Sequence, residues 1–277
     1  MKKKVNKSDV ARFNRICKDI KDVRIQGAES VAIAGVRAYS LVPSDKSFKK
    51  LLSLRATEPA LGNALNYAKK FSPGAAIQHF KESKEITNEL VRKLLKKGIK
   101  VFTHCHSSRV VDSIIYSYNN GKKIKEVFNT ETRPLFQGRK TARELSRAGI
   151  NVTTVVDAAA RGQIRRASVM LIGADAILSD GSVINKIGSN MFAEIAKNDF
   201  KKKVYVVTDA WKFSKKNVKI EERNFEEIWD TGARKVRVKN PAFEKVEAKY
   251  ITGIISELGV LSPKDFVKKV RKVYKWI

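Results

Sequence analysis

The chain is poor in the residues that make crosslinks and metal sites: two cysteines and three histidines in 277 residues. Cys17 and Cys105 lie too far apart in number and position for a disulfide framework, and read as free thiols in a reducing compartment. His104-Cys105-His106 places two imidazoles beside one thiol, but adjacent residues splay their side chains apart. No second His/Cys cluster exists to complete a tetrahedron, so no metal is expected. Long hydrophobic runs are also missing. None approaches the roughly 18 apolar residues that cross a bilayer. The basic start, Met1-Lys2-Lys3-Lys4, has no apolar stretch behind it, so no secretory signal is expected and the cytosol is the expected compartment. No Ser-His-Asp order, Walker loop or G-x-G-x-x-G fingerprint occurs, which argues against hydrolase, nucleotidase and dehydrogenase readings, and no motif implies an organic cofactor.

Acidic residues are scarce as well. Lys and Arg number 57 against 28 Asp and Glu, a formal net charge of +29. The excess runs through both the first 98 residues and the remainder, so no single tail holds it. Such a surface attracts polyanions, including phosphorylated metabolites and, nonspecifically, RNA. A lysine-rich proteome would give the same balance, so charge alone assigns no function.

What is present is a chain 43% apolar, enough for a substantial core. Residues 8–22 place Val10, Phe13, Ile16, Cys17 and Ile20 at three- and four-residue spacings, predicting a helix that Ser8 can cap. Further helices are predicted over Ala28–Leu41, Pro59–Phe71 and Ile86–Lys97, the last stopped by Gly98. At residue 99 the pattern changes. Short β-branched segments recur at Lys100–His104, Glu126–Thr130, Val152–Val156, Val169–Ile172, Val204–Val207 and Tyr250–Ser256. Helical stretches lie between several of them: Arg109–Asn119, Arg139–Ala148 and Ile187–Lys197. Apolar strands alternating with helices mean a parallel sheet covered on both faces. The expected architecture is therefore α/β: a helical N-terminal domain over 1–98, then a Rossmann-like, doubly wound parallel sheet domain over 99–277.

Chemistry in such a sheet collects at the carboxyl ends of the strands. The first strand ends in His104-Cys105-His106-Ser107-Ser108, and the second in Thr130-Glu131-Thr132-Arg133-Pro134 followed by Gln137-Gly138. The third ends in Asp157, and the fourth in Gly173-Ala174-Asp175, with Asn185-Lys186-Ile187-Gly188 beyond. Cys105, between two imidazoles at a strand end and near a helix start, has the setting of a thiolate, against the commoner reading of a buried thiol. Cys17, on an apolar helix face, reads as structural. Asp175 follows an apolar run, where a carboxyl would have a raised pKa and could carry protons; a turn cap is the plainer reading. Lys186, with backbone N–H groups near Ile187–Ser189, makes a phosphate cradle or an ordinary solvated lysine. Asp157 and Arg133 could form a structural salt bridge.

Taken together, Thr103-His104-Cys105-His106-Ser107, Thr130-Glu131-Thr132-Arg133-Pro134 with Gln137-Gly138, Gly173-Ala174-Asp175 and Asn185-Lys186-Ile187-Gly188 resemble one superfamily in their order. Its branches are ribose-1,5-bisphosphate isomerase, methylthioribose-1-phosphate isomerase and the regulatory subunits of translation initiation factor 2B. Asn240-Pro241-Ala242-Phe243 and Ile254-Ile255-Ser256-Glu257-Leu258-Gly259 extend the resemblance, which is close over 99–262. His-Cys-His-Ser is most similar to the ribose-1,5-bisphosphate isomerase and archaeal factor-2B-like branch. The resemblance implies that Cys105 and Asp175 move protons between ribose 1,5-bisphosphate and ribulose 1,5-bisphosphate. It also implies that Gln26, Gly27, Arg55, Arg133, Gln137, Asn185 and Lys186 bind the phosphorylated pentose. A homo-oligomer, dimer or hexamer, is implied too. The alternative within the same resemblance is a non-catalytic regulatory subunit that binds initiation factor 2. One departure stands out: the family's Arg-Gly-Ala is Gln26-Gly27-Ala28 here, and Gln cannot make the bidentate contact of an arginine. Arg24 or Arg55 would supply the missing charge, or substrate affinity is weakened, or the ligand differs.

Overall fold

A computed structural model describes residues 5–55, 58–220, 222–233 and 235–277. Five helices come first: α1 (Lys7–Lys21), α2 (Ala28–Leu41), α3 (Asp45–Leu54), α4 (Pro59–Lys70) and α5 (Pro73–Leu94). The cap of α1 is Asn6, whose side chain accepts from the Asp9 N–H, and not Ser8 as the sequence predicts. Helix α3, which the hydrophobic spacing did not reveal, is capped by Ser44. Pro73 is the first residue of α5, with Ser72 as cap, so this helix begins well before the predicted Ile86. The apolar faces of α1–α4 and the first half of α5 form one core around Ile20, Val31, Val36, Leu51, Leu61 and Leu65.

The main sheet contains β1 (Ile99–Thr103), β2 (Ile124–Thr130), β3 (Val152–Val155), β4 (Val169–Ile172), β7 (Lys203–Val207), β9 (Gly253–Ser256) and β10 (Gly259–Leu261). Their order is β10-β9-β7-β4-β1-β2-β3, all parallel except the β9–β10 hairpin. Successive strand residues bury on opposite faces. Val101, Leu171, Tyr205 and Val207 pack with α6 (Ser108–Asn119), α7 (Gln137–Arg147) and the end of α5. Phe102, Met170, Ile172, Val204 and Val206 pack with α8 (Ala160–Arg166), α9 (Ser189–Glu194) and α10 (Pro263–Val273). This is the doubly wound α/β sheet predicted, and its strand order reverses between β1 and β4, where such sheets open a crevice.

A second, antiparallel sheet is unforeseen: β5 (Ala176–Ile177), β6 (Val183–Lys186) and β8 (Phe243–Val246). Strand β6 runs through Lys186, so the predicted helix over Ile187–Lys197 begins only at Ser189 and ends in a wide turn over Ile195–Asp199. Among the described residues, no helix is long and apolar enough to cross a membrane.

Candidate active site

The crevice at the β1/β4 switch is a cavity of about 190 Å³ lined by both Cys105 and Asp175. Two features bring these strand tips together. Gly173 ends β4 so close to β1 that a Cβ there would lie 2.6 Å from the Ser107 Oγ. Asp175 is then held by its own N–H, which donates to the Ile184 carbonyl of the small sheet at 2.8 Å.

Cys105 is a non-glycine residue in the left-handed region, φ 66°, a conformation that persists only when its surroundings enforce it. They do so from both sides of the peptide. The Cys105 N–H donates to Thr132 Oγ1 at 3.0 Å, and the Thr141 hydroxyl donates to the Cys105 carbonyl at 2.8 Å. Neither imidazole is turned to the sulfur. His104 Nδ1 lies 2.6 Å from Thr130 Oγ1 and its Nε2 lies 2.9 Å from the Ile187 carbonyl. A carbonyl only accepts, so Nε2 carries the proton and Nδ1 takes the threonine's. His106 pairs with Thr141 through Nδ1. The thiolate expected from sequence is therefore not what the site stabilises. Burial pushes the thiol up to about 12, against smaller opposing effects of the His106 N–H and Lys186. Burial also lowers His104 to about 4, so it is a neutral tie between the β2 tip and the Ile187 loop.

Asp175 goes the way a dry carboxyl should. Burial raises it to about 6, with Lys212 pulling down and Glu58 pushing up. At neutral pH the resting pair is thus one loaded thiol and one largely empty carboxylate.

Gln26, Gly27, Arg55, Gln137, Asn185 and Lys186 all reach the cavity wall. Gly27 caps α2 at φ 87°, and a Cβ there would meet nothing within 4 Å, so the backbone angle and not close packing asks for glycine. Gln137 has a buried carbonyl oxygen that accepts no hydrogen bond among the described residues. The buried Asn185 amide is turned inward, donating to Ser189 Oγ at 2.9 Å. Lys186 is lowered by burial. Of the two arginines able to stand in for the charge missing at Gln26, Arg55 lines the cavity, in an ion pair of 2.5 Å with Glu58. Arg24 is exposed and faces Asp19 at 3.6 Å.

Arg133 departs from the prediction. It is exposed, is not part of the cavity wall, and stacks over the Phe136 ring while donating to the Ile228 carbonyl. Nor does its guanidinium pair with Asp157; that carboxylate accepts the backbone N–H groups of Thr132 and Arg133 at 3.1 and 2.7 Å. The Ile187 N–H expected to cradle phosphate is engaged by the Ala242 carbonyl.

Sequence reasoning missed Lys212. It follows β7, is buried, lines the cavity and donates to the Ala174 carbonyl at 2.6 Å, next to Asp175. Reading the tip of the fifth parallel strand as the first four were read would have found it. Lys140 and Arg223 add two further cations to the wall. With Arg55, Lys186 and Lys212 they outnumber Glu29, Glu58 and Asp175, a polarity suited to an anionic ligand.

The chain has relatives among curated proteins. A ribose 1,5-bisphosphate isomerase of Methanocaldococcus jannaschii is 33% identical, covering 93% of this chain and 94% of its own length. One from Archaeoglobus fulgidus is 34% identical over 88% of each chain. Among solved structures, the Pyrococcus horikoshii translation initiation factor eIF-2B superposes with a TM-score of 0.82 at 26% identity, covering 92% of this chain and 98% of that one. Residues 57–263 match the model of the Initiation factor 2 subunit family, and the chain belongs to that family.

Proposed function

We infer that this chain is a sugar-phosphate aldose–ketose isomerase, acting on ribose 1,5-bisphosphate to give ribulose 1,5-bisphosphate. The carrying observation is a thiol and a carboxyl, one loaded and one empty, lining the same cation-rich cavity. The relatives' names supply the substrate. The reaction moves one hydrogen from C2 to C1 without changing the formula. The bond from C1 to the ring oxygen breaks and that oxygen takes a proton. The C2 hydrogen leaves as a proton, and its electron pair becomes the C1–C2 double bond. C1 is then protonated as the C2 hydroxyl becomes the ketone. Each step needs a group that holds a proton and one that lacks it, placed at neighbouring atoms. Cys105 and Asp175 meet that need with no change of protonation at rest. Lys186, Lys212 and Arg55 would hold phosphate, Asn185 would fix the Lys186 turn, and the unpartnered oxygen of Gln137 would accept a sugar hydroxyl. Gln26 and Gly27 line the mouth. Purified protein is to be given ribose 1,5-bisphosphate and ribulose 1,5-bisphosphate followed by NMR. Absence of turnover, with binding intact, would instead favour a non-catalytic regulatory subunit contacting initiation factor 2. Self-association, as dimer or hexamer, belongs to the same proposal and is read by sedimentation.

A second reading rests on the opposite end of the sheet. Lys203 opens β7, Lys100 lies near the start of β1 and Lys123 directly precedes β2, each paired through its backbone with the neighbouring strand or its approach. Lys203 sits beside Val169, the Ser168 N–H donates to the Lys100 carbonyl, and the Gly98 N–H donates to the Lys123 carbonyl. Lys201, two residues before β7, and Lys125, within β2, are also exposed. Strands lie about 4.8 Å apart, so the row is roughly 15 Å long and suits a sugar-phosphate backbone. Anisotropy with duplex RNA over a salt series tests it; binding that ignores salt would count against it.

A further inference from the structure

Beneath the cavity, and not part of its wall, lies a cluster of ionisable groups drawn from five elements. Asp209, after β7, is fully buried. Its Oδ1 accepts the Trp211 N–H at 2.8 Å and faces His79 Nε2 at 3.2 Å; its Oδ2 accepts from Ser83 Oγ at 2.6 Å and Arg109 Nη2 at 3.1 Å. Glu257, after β9, accepts the Ala210 N–H through Oε2 at 3.1 Å and the Tyr274 hydroxyl through Oε1 at 2.9 Å. Consecutive N–H groups of Ala210 and Trp211 are thus each held by one of the two carboxyls. The next residue is Lys212, whose ammonium reaches into the cavity beside Asp175.

Counting hydrogens decides the state of this cluster. Ser83 Oγ lies 2.6 Å from Asp209 Oδ2 and 3.0 Å from Glu257 Oε2, and it already accepts from Arg109 Nη1 at 3.1 Å. A serine has one hydroxyl hydrogen. The shorter contact takes it, so the approach of Glu257 needs a hydrogen from one of the two carboxyls, and Arg109 and His79 on Asp209 leave Glu257 to hold it. The nearby cations divide unequally: among the described residues Arg109 is shared between Asp209 and Glu29, and His79 lies 3.2 Å from Asp209 but 3.9 Å from Glu257, so Glu257 has the weaker cationic support. The groups facing Glu257 are His79 from α5, at 3.9 Å, Asp209, and Tyr274 from the C-terminal tail. Arg109 from α6 lies behind Ser83. Burial, with Asp209 close by, raises the Glu257 carboxyl. Burial also raises Asp209, but His79, Arg109 and Ser83 together hold it far below the usual carboxylate range.

We propose that Glu257 is a neutral carboxylic acid that donates to Ser83, and that it is a positioning residue. Its proton keeps the Ala210–Lys212 turn seated and Lys212 in place over Asp175. Loss of the proton sets two carboxylates against one another across Ser83 and unseats the turn. The effect on turnover rests on the isomerase reading; the protonation state does not.

The test uses full-length protein, Glu257→Gln and Ser83→Ala. Infrared spectra of protein with labelled glutamate carboxyls are expected to show the C=O stretch of a neutral acid near neutral pH, lost in Glu257→Gln. Ser83→Ala keeps every charge and must shift that band, and it carries the test alone if the glutamine variant fails to fold. For turnover, kcat/KM of the parent falls on the alkaline side, and Glu257→Gln removes that limb while costing less than about tenfold near neutrality. Absence of a neutral-acid band, or a band indifferent to both substitutions, overturns the proposal. An identical alkaline limb in parent and Glu257→Gln also overturns it. If no sugar phosphate is turned over, the band still answers, so the two readings fail separately.

Discussion

Replacing Asp175 by Asn should make the protein more stable and inactive at once. The carboxyl is raised from 3.8 to about 6 by burial, so the folded state binds its proton more tightly than the unfolded chain does. Ionising it therefore costs the fold free energy. That cost is absent below the unfolded pKa, grows as pH climbs between the two values, and is complete above the folded one. Two units correspond to about 3 kcal/mol at most; partial exposure at the cavity reduces this to about 1–3 kcal/mol. Asn is isosteric and has no charge to desolvate. At about pH 8 its melting temperature should exceed the parent's by several degrees, since 1 kcal/mol is worth about 2–4 °C in a chain of this order. Near pH 4 the two curves should converge, because the parent's carboxyl is then neutral as well. Scanning calorimetry of both proteins across this range gives the difference directly, and NMR turnover gives the loss of activity. A variant that is less stable at alkaline pH, or a difference that does not change with pH, would refute the raised carboxyl and with it the proton-moving assignment.

Cys105→Ser should lower turnover by about 10²–10⁴-fold with the fold intact, because the proton-transfer group is lost while its volume is nearly kept; NMR of the product measures it. Lys212→Met should raise the Asp175 pKa by about 1–3 units, moving the acid limb of kcat/KM upward by the same amount. Gly173→Ala would push on the Ser107 Oγ and should cost about 1–3 kcal/mol in a denaturant melt together with a loss of kcat. Arg133→Ala should leave KM within about twofold, since an exposed side chain away from the cavity wall has a small effect.

Much of this is legible in the sequence, for physical reasons. Helix α2 runs from Ala28 to Leu41 as its apolar spacing and Pro43 predict, and six parallel-sheet strands fall on the β-branched runs. Cys105 and Asp175 line the crevice as expected because the strand-end rule depends only on topology. What failed had no local signal. Strands β5 and β6 are two and four residues long, too short for a period. The thiolate expectation treated neighbours in sequence as neighbours in space, whereas Thr130, Thr141 and the Ile187 carbonyl claim both imidazoles. Arg133 follows the β2 tip but turns outward onto Phe136, a direction no spacing reveals.

The turn at Ala210–Lys212 explains why a helical layer is needed to build a site at the end of a parallel sheet. Its three residues look in different directions. Lys212 faces the cavity. Trp211 is wholly buried in the core of the N-terminal helices, stacked 3.7 Å from the His79 ring and packed on Tyr67 and Phe80. Ala210 and Trp211 donate their N–H groups to the two carboxyls below. The helical layer therefore contributes twice. It brings Gln26, Gly27 and Arg55 to the cavity wall, and it holds, through Trp211, the turn whose lysine pulls the Asp175 carboxyl down. A carboxyl raised by burial and a thiol kept loaded by burial both need a closed crevice. The open end of a sheet cannot dry them by itself, and the indole seated in the helical core is what ties the two layers into one enclosure.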